Sequence, residues 1–226
     1  MQRLITTSYL TQRERWPEEG RHILAHYDKQ SIVVYQAFKP TIGSFAATHG
    51  FFGGGFRLDR TSWIKTNFLW MMYRSQWGTA PQQEVVLAVF LKREAFDWML
   101  SQAFHSQYYA SLYASDTSWY AQLRRSPIVL QWDPDHTPGG QRLARSAIQL
   151  GLRGEALTRY AQEWIVAIED ISNFVAQQRV HVQAKDFAQL QVPYETVYSV
   201  DNPEIAARLL LTQDTSESSK ADQQDL

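Results

Sequence analysis

Residues 57–77 read Arg-Leu-Asp-Arg-Thr-Ser-Trp-Ile-Lys-Thr-Asn-Phe-Leu-Trp-Met-Met-Tyr-Arg-Ser-Gln-Trp, a segment in which Arg57, Arg60, Lys65 and Arg74 alternate with large rings and Asp59 is the one acid. Guanidinium groups grip phosphate through a fork of donors, and indole faces stack on bases and cations. Arg60, Lys65 and Arg74 are therefore candidate anion clamps, with Trp63 and Trp70 as candidate stacking rings. The bland alternative is that Trp63, Phe68 and Trp70 are core residues and the cations snorkel from its edge; the residues alone leave both open. If 66–75 is helical, Lys65 stands near its N-terminus, Phe68, Met71, Met72 and Ser75 share a face, and Trp70 and Arg74 pair four residues apart.

Other chemistry is less pointed. His22 and His26 are spaced to ligate a metal from one helix face, but no acid or third histidine stands at a recognisable ligand spacing, so a surface pair is the expectation. Asp133 and Asp135 flank Pro134 ahead of a Gly-rich turn, where a cation site and plain turn chemistry are equally served. Phe51–Phe56 holds three successive glycines able to approach an anion closely, yet without a following Lys-Ser or Lys-Thr it is no P-loop, and a flexible connector suffices. Ser75 and Ser146 lack a nucleophile elbow, and Glu155 with Arg159 has the spacing of an exposed helical ion pair.

The elements that must carry these groups are legible in part. Ser31–Phe38 is a β-branched and aromatic run and predicts a strand; Pro40–His49 has helical spacing, with Gly50 as its stop. Glu84–Lys92 predicts a second strand and Arg93–Ala103 a helix; Asp116 is placed to cap a further helix through Trp119, Tyr120 and Leu123. Pro127–Trp132 predicts a third strand ended by Asp133-Pro134, and Ser146–Leu150 a short fourth. A helix from Gly154 to Trp164, a strand at Ile165–Ile171, an extended Val192–Glu195 and a last helical turn or two at 206–211 complete the reading. No strict βαβ rhythm and no G-x-G-x-x-G follow, which disfavours a Rossmann fold. The expected class is α+β: a single domain, 1–200, with a mixed or antiparallel twisted sheet and peripheral helices.

Composition narrows the rest. The chain has 226 residues with 44% hydrophobic and 20% charged, values that suit a folded body. It has no cysteine, which removes disulfides, thiolate nucleophiles and Cys-based metal sites. The N-terminal residues lack the apolar run of a signal peptide and no stretch reaches the length of a membrane helix, so a cytoplasmic location and no membrane partner are expected. Residues 201–226 hold six acids against Arg208 and Lys220, so the chain's formal charge of −1 leaves the preceding body at +3. That surplus suits a phosphate-bearing ligand and is small for an obligate nucleic-acid binder. The acidic tail is expected to be disordered beyond 212.

Tyr35-Gln36-Ala37, Thr61–Lys65 with Phe68–Ser75 and Trp77-Gly78, Gln131–Pro134, Ser146–Leu152 and Glu163-Trp164-Ile165 together resemble the family catalogued as domain of unknown function 4291, over about residues 20–198. Thr66 departs from it, where the family pattern has proline. The resemblance implies a distant kinship with ADP-ribosyltransferase-like folds. Under that analogy NAD is the cofactor, Val34, Tyr35 and Gln36 face its nicotinamide-ribose end, Arg60 or Lys65 holds phosphates, and Glu195 is the carboxylate that steadies an oxocarbenium-like centre. No His-Tyr-Glu triad matches residue by residue. The leading reading is a nucleotide-binding enzyme of the NAD-dependent ADP-ribosyl or related group-transfer kind. The rivals are an RNA or single-stranded nucleic-acid binding module and a protein-interaction module.

Overall fold

The structure, a computed structural model, describes residues 4–212. In chain order its elements are β1 (Thr6–Ser8), α1 (Tyr9–Arg13), β2 (Glu19–Arg21), β3 (Leu24–Ala25), β4 (Ser31–Phe38), α2 (Pro40–His49), β5 (Ser62–Lys65) and α3 (Phe68–Ser75). Then come β6 (Val85–Lys92), α4 (Arg93–Gln102), β7 (Ala103–His105), α5 (Asp116–Arg125), β8 (Ile128–His136), β9 (Arg142–Leu152), α6 (Glu155–Gln162), β10 (Ile165–Asp170), α7 (Ser172–Ala184), β11 (Gln191–Pro193), β12 (Thr196–Val197) and α8 (Pro203–Arg208). The class is α+β. One eight-stranded sheet runs β10-β6-β4-β5-β9-β8-β7, with β2 alongside β9. Its pairings are antiparallel except β2–β9 and β7–β8, and two small pairs, β1–β11 and β3–β12, lie outside it.

Alternation along each strand divides the core into two layers. Ile32, Val34, Leu87, Val89, Leu130 and Leu150 face α2, α4 and α6, whereas Val33, Tyr35, Val86, Ala88 and Phe90 face Phe68, Leu69 and Met72 of α3 and Val175 of α7. Because β4 and β6 are covered on both sides, they read as near-continuous apolar runs, β4 being interrupted by Gln36. The second layer stops at β4. On β5, β9 and β8 the same sheet face turns polar, and that change positions the candidate site.

Local chemistry sets the element ends, in places against expectation. Pro40 opens α2, and Gly50, at φ 76°, closes it in a left-handed conformation that a side chain disfavours. Lys65 ends a strand instead of opening a helix: Thr61, Ile64 and Thr66 favour extension, β5 pairs with β9, and Asn67 caps α3 by accepting from the Trp70 N–H at 2.7 Å. The cap of α5 is Ser115, which accepts from Ser118 N, and Asp116 is its first helical residue. Strand β8 runs on through Pro134 to His136, with a bulge after Pro134 accommodating the missing N–H. Helix α7 carries little signal in the sequence, because Val175 and Gln178 are its only buried residues and its apolar stripe is faint. Arg159 pairs with Glu163 at 3.3 Å and not with Glu155.

His22 and His26 lie outside any helix, His22 buried and His26 hydrogen-bonded through Nδ1 to the Tyr194 carbonyl. Among the described residues no cluster of metal-type ligands occurs, and no helix is long and apolar enough to cross a membrane. Part of the expected acidic tail folds: α8 starts on an Asn202 cap, Leu209 is buried, and Thr212 N donates to the Arg21 carbonyl. The disorder expected beyond 212 lies outside the described residues.

Candidate functional site

The polar half of the sheet is built by register. Tyr35 pairs with Lys65, Lys65 with Gln149, and Gln149 with Gln131, so four side chains from β4, β5, β9 and β8 stand in one row on one face. In the next row β8 presents Asp133 opposite Ala147. Its carboxylate accepts from Gln131 Nε2 at 2.8 Å on one oxygen and from Gln149 Nε2 at 2.6 Å on the other. Two amides therefore hold Asp133 in place.

Lys65 is the unusual member. It is 7% exposed, and burial, reinforced by the Arg74 charge and opposed by Asp133, brings its pKa down from 10.5 to about 8. Among the described residues its Nζ forms no hydrogen bond and no ion pair, nor does the guanidinium of Arg74. Asp133 attracts the ammonium without pairing with it, and a largely buried cation that makes no ion pair is costly; groups perturbed in this way concentrate at functional sites. Protonated, Lys65 is an anion anchor; at a pKa near 8 a fraction is also available as neutral amine.

A cleft of about 420 Å³ opens at the end of this row. Strand β7 ends at His105 opposite Leu130, so β8 has a free edge from Gln131 onward. The cleft fills that edge between His105, Ser106, Gln107 and Tyr109 on one wall and Gln131, Trp132 and Asp133 on the other. A second hollow of about 320 Å³, between α4 and α6, is remote from this row, and its guanidinium, Arg159, already lies over the rings of Trp98 and Trp164.

Below the start of α3 lies a separate buried cluster. Glu195 is 1% exposed; its Oε1 accepts from Phe68 N at 2.8 Å, its N–H donates to Gln12, and its carbonyl accepts from Trp16 Nε1. Burial pushes its pKa well above the carboxylate range, with the Phe68 hydrogen bond opposing. Asp135 and Arg145 form a 2.6 Å ion pair beside it, and the guanidinium covers the Trp16 ring. Buried polar atoms without partners gather around this helix start: Tyr35 Oη, Thr66 Oγ1, Trp70 Nε1, His136 Nδ1 and Glu195 Oε2. Tyr35 Oη and Glu195 influence each other electrostatically without meeting hydrogen-bond geometry.

Of the residues read from sequence, the fold brings Lys65 and Arg74 into electrostatic reach. Arg60 is exposed at the other end of β5, donating to the Thr61 carbonyl, five residues from Lys65 and on the order of 15 Å along an extended chain. Trp63 is half-buried against Gly151, where a Cβ would come within 3.0 Å of its ring. Trp70 is interior, stacked with Tyr73 and His136, and Phe68 is core. Tyr35 and Gln36 point to opposite faces: Gln36 accepts from Tyr160 Oη at 2.6 Å and donates to Ser62 Oγ and the Trp63 carbonyl. Tyr35 thus stands in the Lys65 row, whereas Gln36 faces the other side of the sheet and Glu195 lies under α3. Gln131 and Gln149 are not among the site candidates read from sequence, and Asp133 is there a cation ligand or a turn residue; the signal for all three is the alternation Gln131-x-Asp133 on β8, which continues past Trp132. In the glycine loop Phe52 enters the core and Gly53 and Gly54 pack on Phe45, as a connector would.

One family model, described as a domain of unknown function (DUF4291), matches residues 22–198. No curated protein matches the chain.

Proposed function

The chain belongs to the DUF4291 family, a description that names no reaction, and from the site itself we propose that it binds a phosphate-bearing, nucleotide-type ligand on the polar half of its sheet. The observation that carries this is Lys65: a largely buried lysine that makes no ion pair among the described residues, within electrostatic reach of Arg74 and Asp133, in a row leading to an open cleft. Lys65 and Arg74 take the phosphate charge. Asp133, fixed by two amides, accepts from a ligand hydroxyl or amino group, and Tyr109 and Trp132 offer ring surface in the cleft. Group transfer at this site would draw on Lys65 and Asp133, the ionisable groups on the open side. Of the residues expected to serve NAD, Tyr35 and Lys65 stand in this row, but Glu195 is sealed under α3 and Gln36 lies on the far face, so the set does not fit that cofactor.

Titration calorimetry with ATP, GTP, AMP and NAD against the wild type and Lys65→Met tests the reading. At least one ligand should bind saturably, lose tenfold or more in affinity in the variant, as loss of a charge-assisted hydrogen bond implies, and weaken as pH rises past about 8. A panel without binding, or binding indifferent to Lys65→Met, would overturn it.

A further inference from the structure

The aromatic and basic segment that stands out in the sequence, 57–77, is largely interior, while a second one lies open. Helix α5 has no buried residue, so the core does not account for it. With the chain leading into it, it forms a shelf on which Tyr108, Tyr109 and Trp119 are half-exposed and Tyr120 is 55% exposed. The rings touch in sequence across the surface: Tyr108 meets Trp119 at 6.0 Å between centroids, and Trp119 meets Tyr120 at 6.3 Å. Trp119 Nε1 donates to the His105 carbonyl, and Arg153 Nε donates to the Ser126 carbonyl, so the shelf is attached at both ends.

Three features identify what it would hold. Its charge is one-sided: Asp116 is the only acid between 104 and 125, the helix ends in exposed Arg124 and Arg125 beside a hollow of about 400 Å³, and Arg21 lies over the Tyr109 ring at 5.3 Å. The shelf is continuous with the proposed nucleotide cleft, because Tyr109 belongs to both. Exposed rings spaced between cations bind single-stranded nucleic acid, since every base offers a π-face and the backbone a row of charges, whereas a duplex hides its base faces. We infer that the shelf of Tyr108, Tyr109, Trp119, Tyr120, Arg124 and Arg125 seats a single-stranded polynucleotide, one nucleotide of which occupies the adjoining cleft. The inference rests on the nucleotide reading of that cleft and extends it from a free nucleotide to a polymer.

Fluorescence anisotropy with a labelled mixed-sequence 12-mer, as single-stranded RNA, single-stranded DNA and duplex, tests it on the full chain, with mononucleotide binding followed by calorimetry. Single strands should bind at least tenfold more tightly than the mononucleotide and more tightly than the duplex. Tyr120→Ala, at an exposed site that leaves folding intact, should weaken the oligonucleotide about 10- to 100-fold, as loss of one stacked base implies, and leave the mononucleotide unchanged. Arg124→Ala with Arg125→Ala should lower the slope of log affinity against log salt by about 1 to 2. A preference between the RNA and DNA arms identifies the natural strand. A mononucleotide that binds while the 12-mer gains nothing, or a 12-mer indifferent to both shelf variants, refutes the shelf and leaves the cleft; absence of all binding removes both.

Discussion

Replacing Lys65 with methionine removes the charge while keeping an unbranched stem of similar volume, and the structure gives the size of the effect. Lys65 is almost wholly buried and its pKa falls from 10.5 to about 8. At about 1.4 kcal/mol per pH unit, that displacement means the folded protein carries the ammonium at neutral pH at a cost of about 3 kcal/mol. The sign follows from proton linkage: between pH 8 and 10.5 the unfolded chain binds the proton more tightly than the native one, so wild-type stability rises with pH across that window and the cost is greatest below it. The variant, lacking the group, should be the more stable protein at pH 7 by up to about 3 kcal/mol, a melting temperature higher by about 6–12 °C for a chain of this size. The two proteins should converge above pH 10.5, because other titrating groups are common to both and cancel in the difference. Scanning calorimetry of both proteins between pH 6 and 11 measures this. A binding residue that destabilises its own fold is the expected trade-off at a site shaped for a ligand. If Lys65→Met lowers the melting temperature at pH 7, or the difference between the proteins does not change with pH, then the ammonium has a counter-ion in the fold and the argument for a missing anion collapses.

Glu195→Gln preserves the acceptor for the Phe68 N–H. The native carboxyl holds its proton more tightly than the unfolded one, so this group's stabilising contribution is full below pH 4.5 and lost as pH rises, and the variant should match wild type at pH 4 and exceed it increasingly toward pH 8 in thermal melts. Arg145→Leu leaves Asp135 buried and unpaired, with a loss of about 3–5 kcal/mol in urea unfolding; adding Asp135→Leu should restore part of it, since the stranded charge is gone. A double variant no better than the single would show that the Trp16 and Pro17 contacts of Arg145 carry the loss instead.

Where short-range chemistry was sufficient, the residues already contained the answer. Ser31–Phe38 is β-branched and aromatic, and Pro40 and Gly50 bracket ten residues of helical spacing; both elements form at those bounds because propensity, cap and stop agree within one turn of chain. The pairing of basic and aromatic residues around Lys65 was visible for the same reason, as a matter of types along one segment. What surrounds Lys65 was not: Gln149 and Gln131 reach its side through the β5–β9 and β9–β8 registers, which join residues 84 and 18 positions apart. Arg60 left the site because extended β5 sets it on the order of 15 Å from Lys65, against its neighbour Thr61, whereas Glu195 sank beneath α3, where Phe68 N donates to it from 127 positions away. Trp70 and Tyr120 are both large rings with one polar atom on a helix, yet one is sealed against His136 and the other open to solvent. Periodicity says which residues share a face; which faces are then covered depends on how distant strands and helices pack, and so the burial of a charge or a ring is a property of the folded sheet.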